Sequence, residues 1–308
     1  MQRTYRNRPT LAIIALAISL TTPLVEAVPA AAATLDRVRQ AGKLVLGYRT
    51  DAPPFSSNDA SGKPDGYSIV ICQKVADAVK TELALPELNV EWVPVAVEDR
   101  FNAVAQGKVD LMCGADTVTL ERRKEVSFSI PIFPGGVAAM LRSDAPRPLQ
   151  DVLSGRPSSG PIWRGSPAQI LNDKTFSVVA GTTGEAWLSK RLNDFQLTAN
   201  VVPVESYDAG TSRVLDRTTD VFFGDRPILI ETATGNSSAA DLIILDRLFT
   251  SEPIALTLAR NDDDFRLLVD RALSLEFGSD EFRDVYGKWF GAPDDAVITF
   301  FRQSALPE

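Results

Sequence analysis

Apolar runs typical of buried strands alternate with helical periodicity between residues 34 and 130. Strands are predicted at 44–48, 90–95 and 109–113, each a short apolar run bounded by turn residues. Between the first two strands, the apolar residues that share one helical face are Tyr67, Val70, Ile71, Val75, Ala78 and Val79. Strands that alternate with helices form βαβ units, so this pattern predicts a mainly parallel sheet flanked by helices.

A second series of the same kind follows a connector rich in Pro, Ser and Gly at residues 146–165. Its predicted strands lie at 176–180, 201–204 and 220–223, with helical patterns between them. The chain is therefore predicted to form two similar α/β lobes. Ligands of such sheets bind beyond the carboxyl ends of the strands, so the residues that follow each strand are the candidates for a site.

The C-terminal part of the chain carries two further helical patterns. Asn261 or Asp262 is predicted to cap the first of them. Their apolar stripes are Phe265, Leu268, Val269, Ala272 and Leu273, and then Phe282, Val285, Tyr286, Trp289 and Phe290. We interpret both stripes as core and not as a cofactor site.

The first residues have the pattern of an export signal. A basic head containing three arginines precedes an uninterrupted apolar run at 11–20, which is too short to span a bilayer. Small residues follow, and cleavage is predicted after Ala27, with Ala30 and Ala33 as later alternatives. We therefore predict a signal peptide at residues 1–27 and a periplasmic mature protein; a buried core helix is the alternative interpretation.

Two cysteines in an exported chain suggest one disulfide, between Cys72 and Cys113, because an oxidising compartment permits it. Two separate buried thiols are the alternative, since a free cysteine packs well as a small apolar residue.

Composition excludes several classes of function. The 308 residues contain no histidine, which removes histidine-based catalytic triads and histidine-containing metal sites. The formal net charge of −8 has the wrong sign for a protein that binds phosphate backbones, so no nucleic-acid partner is expected. Nothing in the pattern points to a metal or a cofactor, and we expect neither.

One loop carries a more specific signal. Residues 114–124, with the sequence GADTVTLERRK, and the Val126, Phe128 and Pro131 that follow resemble the T-x-T-x-x-R…V-x-F-S-x-P run of extracellular solute-binding proteins, family 3. These are the periplasmic amino-acid-binding proteins of ABC transporters. Further pieces of the family pattern occur in order at 65–68, 107–110, 181–183 and 286–291.

The resemblance implies a two-lobed periplasmic-binding-protein fold of type II, each lobe a mainly parallel sheet flanked by helices, joined by two hinge strands. Lobe 1 is then expected at 34–132 plus 254–308, lobe 2 at 133–253, and the hinges near 132–136 and 250–255. It also implies a monomer without catalytic activity, which captures an L-amino acid between closing lobes and delivers it to an inner-membrane ABC permease.

The same resemblance assigns residues to the ligand's α-carboxylate and α-ammonium. Arg122 matches the motif arginine, and a guanidinium can grip a carboxylate with two parallel hydrogen bonds. Thr117 matches a threonine that contacts the head group, and the backbone carbonyl of Ala115 is expected to accept from the ammonium. The alternative for Arg122 is a solvated arginine beside Arg123 and Lys124.

In the second lobe, Gly181 and Thr183 lie where a strand gives way to a helix, and the free N–H groups there favour an anion. An ordinary N-cap by Thr182 or Thr183 is the alternative, and both roles are compatible. Asp225 matches the family's acceptor for the ammonium; its alternative is an ion pair with adjacent Arg226.

For the ligand's side chain, Arg49 and Arg100 match arginines of the glutamate/aspartate-binding branch. Asp208 stands where that branch uses a histidine, and a carboxylate reaching the pocket there would favour neutral polar amino acids. Two buried guanidiniums without an anionic partner would nevertheless be costly, so the two arginines make glutamate or aspartate the expected ligand. The alternatives are a binder of neutral polar amino acids and an enzyme resembling the periplasmic cyclohexadienyl dehydratases.

Overall fold

The computed structural model describes residues 33–156 and 167–307. The predicted signal peptide at 1–27 lies outside the described residues. The strands are β1 Lys43–Tyr48, β2 Asp51–Ala52, β3 Ser56–Asn58, β4 Pro64–Asp65, β5 Asn89–Pro94, β6 Leu111–Thr117, β7 Ser127–Gly135, β8 Val137–Arg142, β9 Thr175–Val179, β10 Asn200–Val204, β11 Val221–Asp225, β12 Leu242–Ile244 and β13 Glu252–Leu258.

Helices follow most of the strands, as the alternating pattern predicts. They are α1 Thr34–Ala41, α2 Tyr67–Leu83, α3 Arg100–Ala105, α4 Arg147–Ser154, α5 Thr183–Asp194, α6 Tyr207–Leu215, α7 Arg226–Thr234, α8 Asp263–Phe277, α9 Phe282–Phe290 and α10 Asp295–Ser304. Within the described ranges, no helix combines the length and the apolar character that crossing a bilayer requires.

Two five-stranded sheets form the centres of the two lobes. The first has the order β5-β1-β6-β13-β7, in which β1 pairs in parallel with β5 and β6, while β13 runs antiparallel to both of its neighbours. The second has the order β10-β9-β11-β8-β12, with β9 parallel to β10 and β11, and β8 antiparallel to β11 and β12. The predicted two-lobed α/β architecture is confirmed.

The chain passes between the sheets twice, and small residues make the first passage possible. Gly135 ends β7 in the first sheet, and after Gly136 the chain enters β8 of the second. A Cβ on Gly136 would lie 2.4 Å from the backbone oxygen of Thr250 on the returning segment. Such a contact is impossible, so glycine lets the two connections lie side by side. The predicted lobe limits stay a prediction.

The core of the first lobe is apolar and is tied by a disulfide. The predicted bond between Cys72 of α2 and Cys113 of β6 is present. From the C-terminal helices, Phe265, Phe282 and Tyr286 are buried, which confirms that the stripes are core. Asp262 is the residue that caps α8, through its side chain and the N–H of Phe265.

Candidate functional site

The candidate site lies where the carboxyl ends of strands from both sheets meet. Arg49 follows β1, Thr117 ends β6, Gly181 follows β9 by two residues, and Asp225 ends β11. Each of these strands is parallel to a neighbour, so their carboxyl ends share one edge of the sheet. A hydrogen bond of 3.3 Å from Arg100 to the backbone oxygen of Gly181 joins the two lobes across this site.

Arg122 lies half-buried on a short 3₁₀ turn, Arg122–Lys124, directly after β6. Its guanidinium donates to the backbone oxygen of Thr117 at 2.8 Å and lies 5.0 Å from the centre of the Phe101 ring. Burial, and next the nearby positive charge of Arg100, lower the pKa of Arg122. It makes no ion pair with any described residue, although the charges of Asp116, Asp225 and Glu252 oppose part of this lowering. A partly desolvated cation is therefore left without a carboxylate in direct contact among the described residues.

Asp225 presents the opposite charge. One carboxylate oxygen, Oδ2, accepts a hydrogen bond from the Tyr207 hydroxyl at 3.0 Å. The other, Oδ1, is buried and has no hydrogen-bond partner among the described residues. Burial, and next the charge of Glu252, raise the pKa of Asp225 to about 6. Arg226 pairs with Asp246 at 2.7 Å, and not with Asp225.

We call Arg122 and Asp225 together the head-group end of the site. A buried polar atom is normally hydrogen-bonded, so the unpartnered oxygen of Asp225 indicates a missing donor. A ligand carboxylate beside Arg122 and a ligand ammonium beside Asp225 would supply both missing partners. An α-amino acid carries these two groups on adjacent atoms.

The N-terminus of α5 is engaged by side chains of the protein. The N–H of Gly181 donates to Glu185 at 2.8 Å, and Thr182 caps the helix by accepting from the N–H of Glu185. The hydroxyl of Thr183 donates to Glu252, in the hinge strand β13, at 2.6 Å. Thr182 is therefore the N-cap, and Thr183 holds a carboxylate of the chain itself.

The residues predicted to meet the ligand's side chain are paired with carboxylates. Arg49 is 3% exposed and donates from Nε and a terminal nitrogen to the two oxygens of Asp51, each at 2.8 Å. Burial alone would lower the pKa of Arg49, but the hydrogen bond and charge of Asp51 outweigh it and raise that pKa.

Arg100 is 4% exposed and donates hydrogen bonds to three different residues. Its Nε donates to Asp116 at 2.8 Å, and its terminal nitrogens donate to the backbone oxygens of Val97 and Gly181. Asp116 is 1% exposed, and its second oxygen accepts from the Thr257 hydroxyl at 3.1 Å. We call Arg49, Arg100 and their two carboxylate partners the side-chain end of the site.

The remaining predicted residues divide into two groups. Thr117 and Ala115 are buried in β6, beyond Cys113, the last residue of that strand to pair with β1. Asp208 is exposed in the first turn of α6 and makes no hydrogen bond or ion pair with the described residues. The structure therefore does not bring Asp208 into contact with the other site residues, whereas its neighbour Tyr207 reaches Asp225.

Sequence reasoning missed four residues of this site: Asp51, Asp116, Tyr207 and Glu252. Asp116 stands inside the motif run itself, and Asp51 lies two residues after Arg49, so proximity along the chain was an available signal for both. No comparable signal exists for Glu252, which reaches Thr183 across 69 positions of sequence.

Residues 44–292 match the bacterial extracellular solute-binding proteins, family 3. The match spans most of the chain, and the protein belongs to this family.

Among curated relatives, the glutamate/aspartate import solute-binding protein of Escherichia coli is 29% identical over 93% of this chain and 89% of its own length. The L-glutamate/L-aspartate-binding protein of Pseudomonas aeruginosa is also 29% identical, over 84% of this chain and 80% of its own.

Solved structures show the same fold. A mutant of the arginine-binding protein of T. maritima superposes with a TM-score of 0.68 at 23% identity, covering 83% of this chain and 98% of that one. An ancestral amino acid-binding protein described as a precursor of cyclohexadienyl dehydratase gives 0.67 at 24% identity, covering 84% and 100%.

Proposed function

We propose that this protein is the amino-acid-binding component of an ABC transporter, with L-glutamate and L-aspartate as its ligands. The head-group end carries the proposal. Among the described residues, Arg122 forms no ion pair and Asp225 has a buried oxygen without a donor, and an α-amino acid supplies both partners. The curated relatives from E. coli and P. aeruginosa, whose names specify glutamate and aspartate, support the choice of ligand.

The remaining parts of the proposal follow from this role. The signal at residues 1–27 exports the chain to the periplasm, where the monomer binds its ligand between the lobes and delivers it to an inner-membrane permease. The name of the E. coli relative, an import protein, supports delivery into the cell.

Binding without catalysis is part of the same proposal. A dehydratase acting on a cyclohexadienyl acid needs an acid held over the ring, but Asp116 is already engaged by Arg100 and Thr257. Asp225 leaves one buried oxygen without a donor among the described residues, and the ammonium of an amino acid would supply that donor. Incubation with such an acid should release no aromatic product, and measurable turnover would contradict this part of the proposal.

Calorimetric titration of the mature protein with each of the twenty amino acids tests the main proposal. Glutamate and aspartate should bind with 1:1 stoichiometry. At about 100 times its dissociation constant, either ligand should stabilise the fold by roughly 2.7 kcal/mol, because it binds only the native state. Absence of binding by all twenty would overturn the proposed function.

A further inference from the structure

We propose that Asp116 limits the selectivity of this site for acids over amides, so that glutamine and asparagine bind within about tenfold of glutamate and aspartate. This inference rests on the proposed function and names its substrate class more closely. It depends on the buried ion pair that Asp116 forms with Arg100.

The geometry fixes Asp116 in place. Its Oδ1 accepts from Arg100 at 2.8 Å and its Oδ2 accepts from Thr257 at 3.1 Å, so both oxygens have partners inside the protein. Being 1% exposed, the carboxylate cannot be screened by water. Asp116 therefore lies directly against Arg100 as its ion-pair partner.

This counter-charge changes what the side-chain end can recognise. A bare buried guanidinium would strongly favour a ligand carboxylate, since an unpaired buried charge is costly. Arg100 already contacts Asp116, and Arg49 already contacts both oxygens of Asp51. The side-chain carboxylate of glutamate or aspartate thus meets two arginines that are already ion-paired. Its attraction to each arginine is opposed by the aspartate beside that arginine.

Hydrogen-bond donors nevertheless remain. A guanidinium carries five N–H groups, and Arg100 uses three of them on Asp116, Val97 and Gly181. Donors of this kind bind a carboxylate oxygen or an amide oxygen alike. The side-chain end is therefore a donor surface with little net charge, which suits both acids and amides.

The total charge of the site points the same way. Three cations, Arg49, Arg100 and Arg122, stand with four carboxylates, Asp51, Asp116, Asp225 and Glu252. A site with a carboxylate in excess does not draw in glutamate, whose net charge is negative, more strongly than glutamine, whose net charge is zero.

The test is the ratio of glutamate to glutamine affinity, measured by calorimetry in the wild type and in Asp116→Asn. Asparagine keeps the shape and one acceptor oxygen while removing the charge. The wild-type ratio should be below about 10, and in the variant it should rise at least ~10-fold, because glutamate gains while glutamine changes little. The aspartate to asparagine ratio should rise in parallel.

A matched control is Asp110→Asn. Asp110 is also buried and ion-paired, to Arg37 at 2.8 Å, but it belongs to the N-terminal contacts of lobe 1 and not to the site. Its loss should lower stability and leave the ratio unchanged. If Asp116→Asn does not fold, Asp51→Asn removes the other counter-charge from a partly exposed position and should move the ratio in the same direction.

The outcomes separate the two proposals. A wild-type protein that prefers glutamate over glutamine by more than about tenfold would overturn the role of Asp116 and leave the proposed function intact. An unchanged ratio in the folded charge-removing variants would do the same. Binding of no amino acid at all would instead overturn the proposed function.

Discussion

The two ends of the site differ in how their charges are satisfied. At the head-group end, Arg122 forms no ion pair and one oxygen of Asp225 has no donor among the described residues. At the side-chain end, Arg49 and Arg100 each hold an aspartate at 2.8 Å. The first end thus lacks partners for its charged groups among the described residues, whereas in the second each arginine is already ion-paired.

This difference shows where binding energy and where selectivity come from. Groups without partners gain the most from a ligand, because they have already paid the cost of burial. Groups that are already paired gain less and act mainly by shape and by donor position. Affinity for amino acids in general should therefore depend on the head-group end, and discrimination among them on the side-chain end.

Replacing Arg122 should have the largest effect on binding. Arg122→Ala should weaken glutamate affinity at least ~100-fold, because leaving a buried charge without its partner costs about 3–5 kcal/mol. Calorimetry at neutral pH measures the loss. Arg123→Ala is the matched control: Arg123 is exposed on the same turn, and its removal should leave affinity unchanged. Equal affinities in the two variants would show that Arg122 is a surface arginine that does not bind the ligand.

Replacing Asp225 should have the next largest effect. Asp225→Asn keeps the shape and removes the charge, so glutamate should bind ~10–150-fold more weakly, in line with about 1.5–3 kcal/mol for a hydrogen bond to a charged group. Asp246→Asn serves as control, because this exposed carboxylate pairs with Arg226 next to Asp225. Wild-type affinity in Asp225→Asn would show that the ammonium has another acceptor.

Acidification should weaken binding through the same carboxylate. The pKa of Asp225 is raised to about 6 by burial and by the charge of Glu252, and only the ionised form attracts an ammonium. Affinity should therefore fall roughly tenfold between about pH 7 and about pH 5, while Asp225→Asn shows little change. Calorimetry in matched buffers measures the affinity at each pH. A wild-type affinity that does not fall with pH would contradict the assignment of Asp225 as the acceptor of the ammonium.

The stability of the ligand-free protein should depend on pH in the opposite direction and increase as the pH falls. The folded pKa of about 6 lies above the ordinary value of 3.8, so the native state binds this proton more tightly than the unfolded chain. The resulting stability is complete below about pH 4 and is lost as pH rises through about 6, up to about 3 kcal/mol. Urea unfolding of wild type minus Asp225→Asn across this range isolates the contribution.

The resemblance to the family predicts the residues of both ends, and the strand pattern supports their placement for a physical reason. Arg49, Arg122 and Asp225 each lie at or after the end of a strand, and parallel strands bring their carboxyl ends together whatever the details of packing. Periodicity alone was sufficient to predict three strands of each sheet and the apolar stripes of the C-terminal helices, but not β7, β8, β12 and β13. The two cysteines were sufficient for the disulfide.

The ion pairs and hydrogen bonds of the site depend on side-chain geometry, which hydrophobic periodicity does not reveal. Asp116 meets Arg100 only because β6 and α3 pack at one particular distance, and Thr183 meets Glu252 only because the hinge strand passes the start of α5. The charges of Arg49 and Arg100 were visible in the sequence, and their neutralisation was not.

The smallest effect is expected at Thr183, which tests whether the head-group end extends to the start of α5. Its hydroxyl donates to Glu252 at 2.6 Å and would have to turn from that carboxylate to the ligand's. Thr183→Val removes one hydrogen bond to a ligand, about 1 kcal/mol, so glutamate affinity should fall roughly fivefold by calorimetry. Thr183→Ser keeps the hydroxyl and should bind glutamate with the affinity of the wild type. Equal affinity in the valine and serine variants would mean that this hydroxyl serves only Glu252, leaving Arg122 and Asp225 to hold the head group.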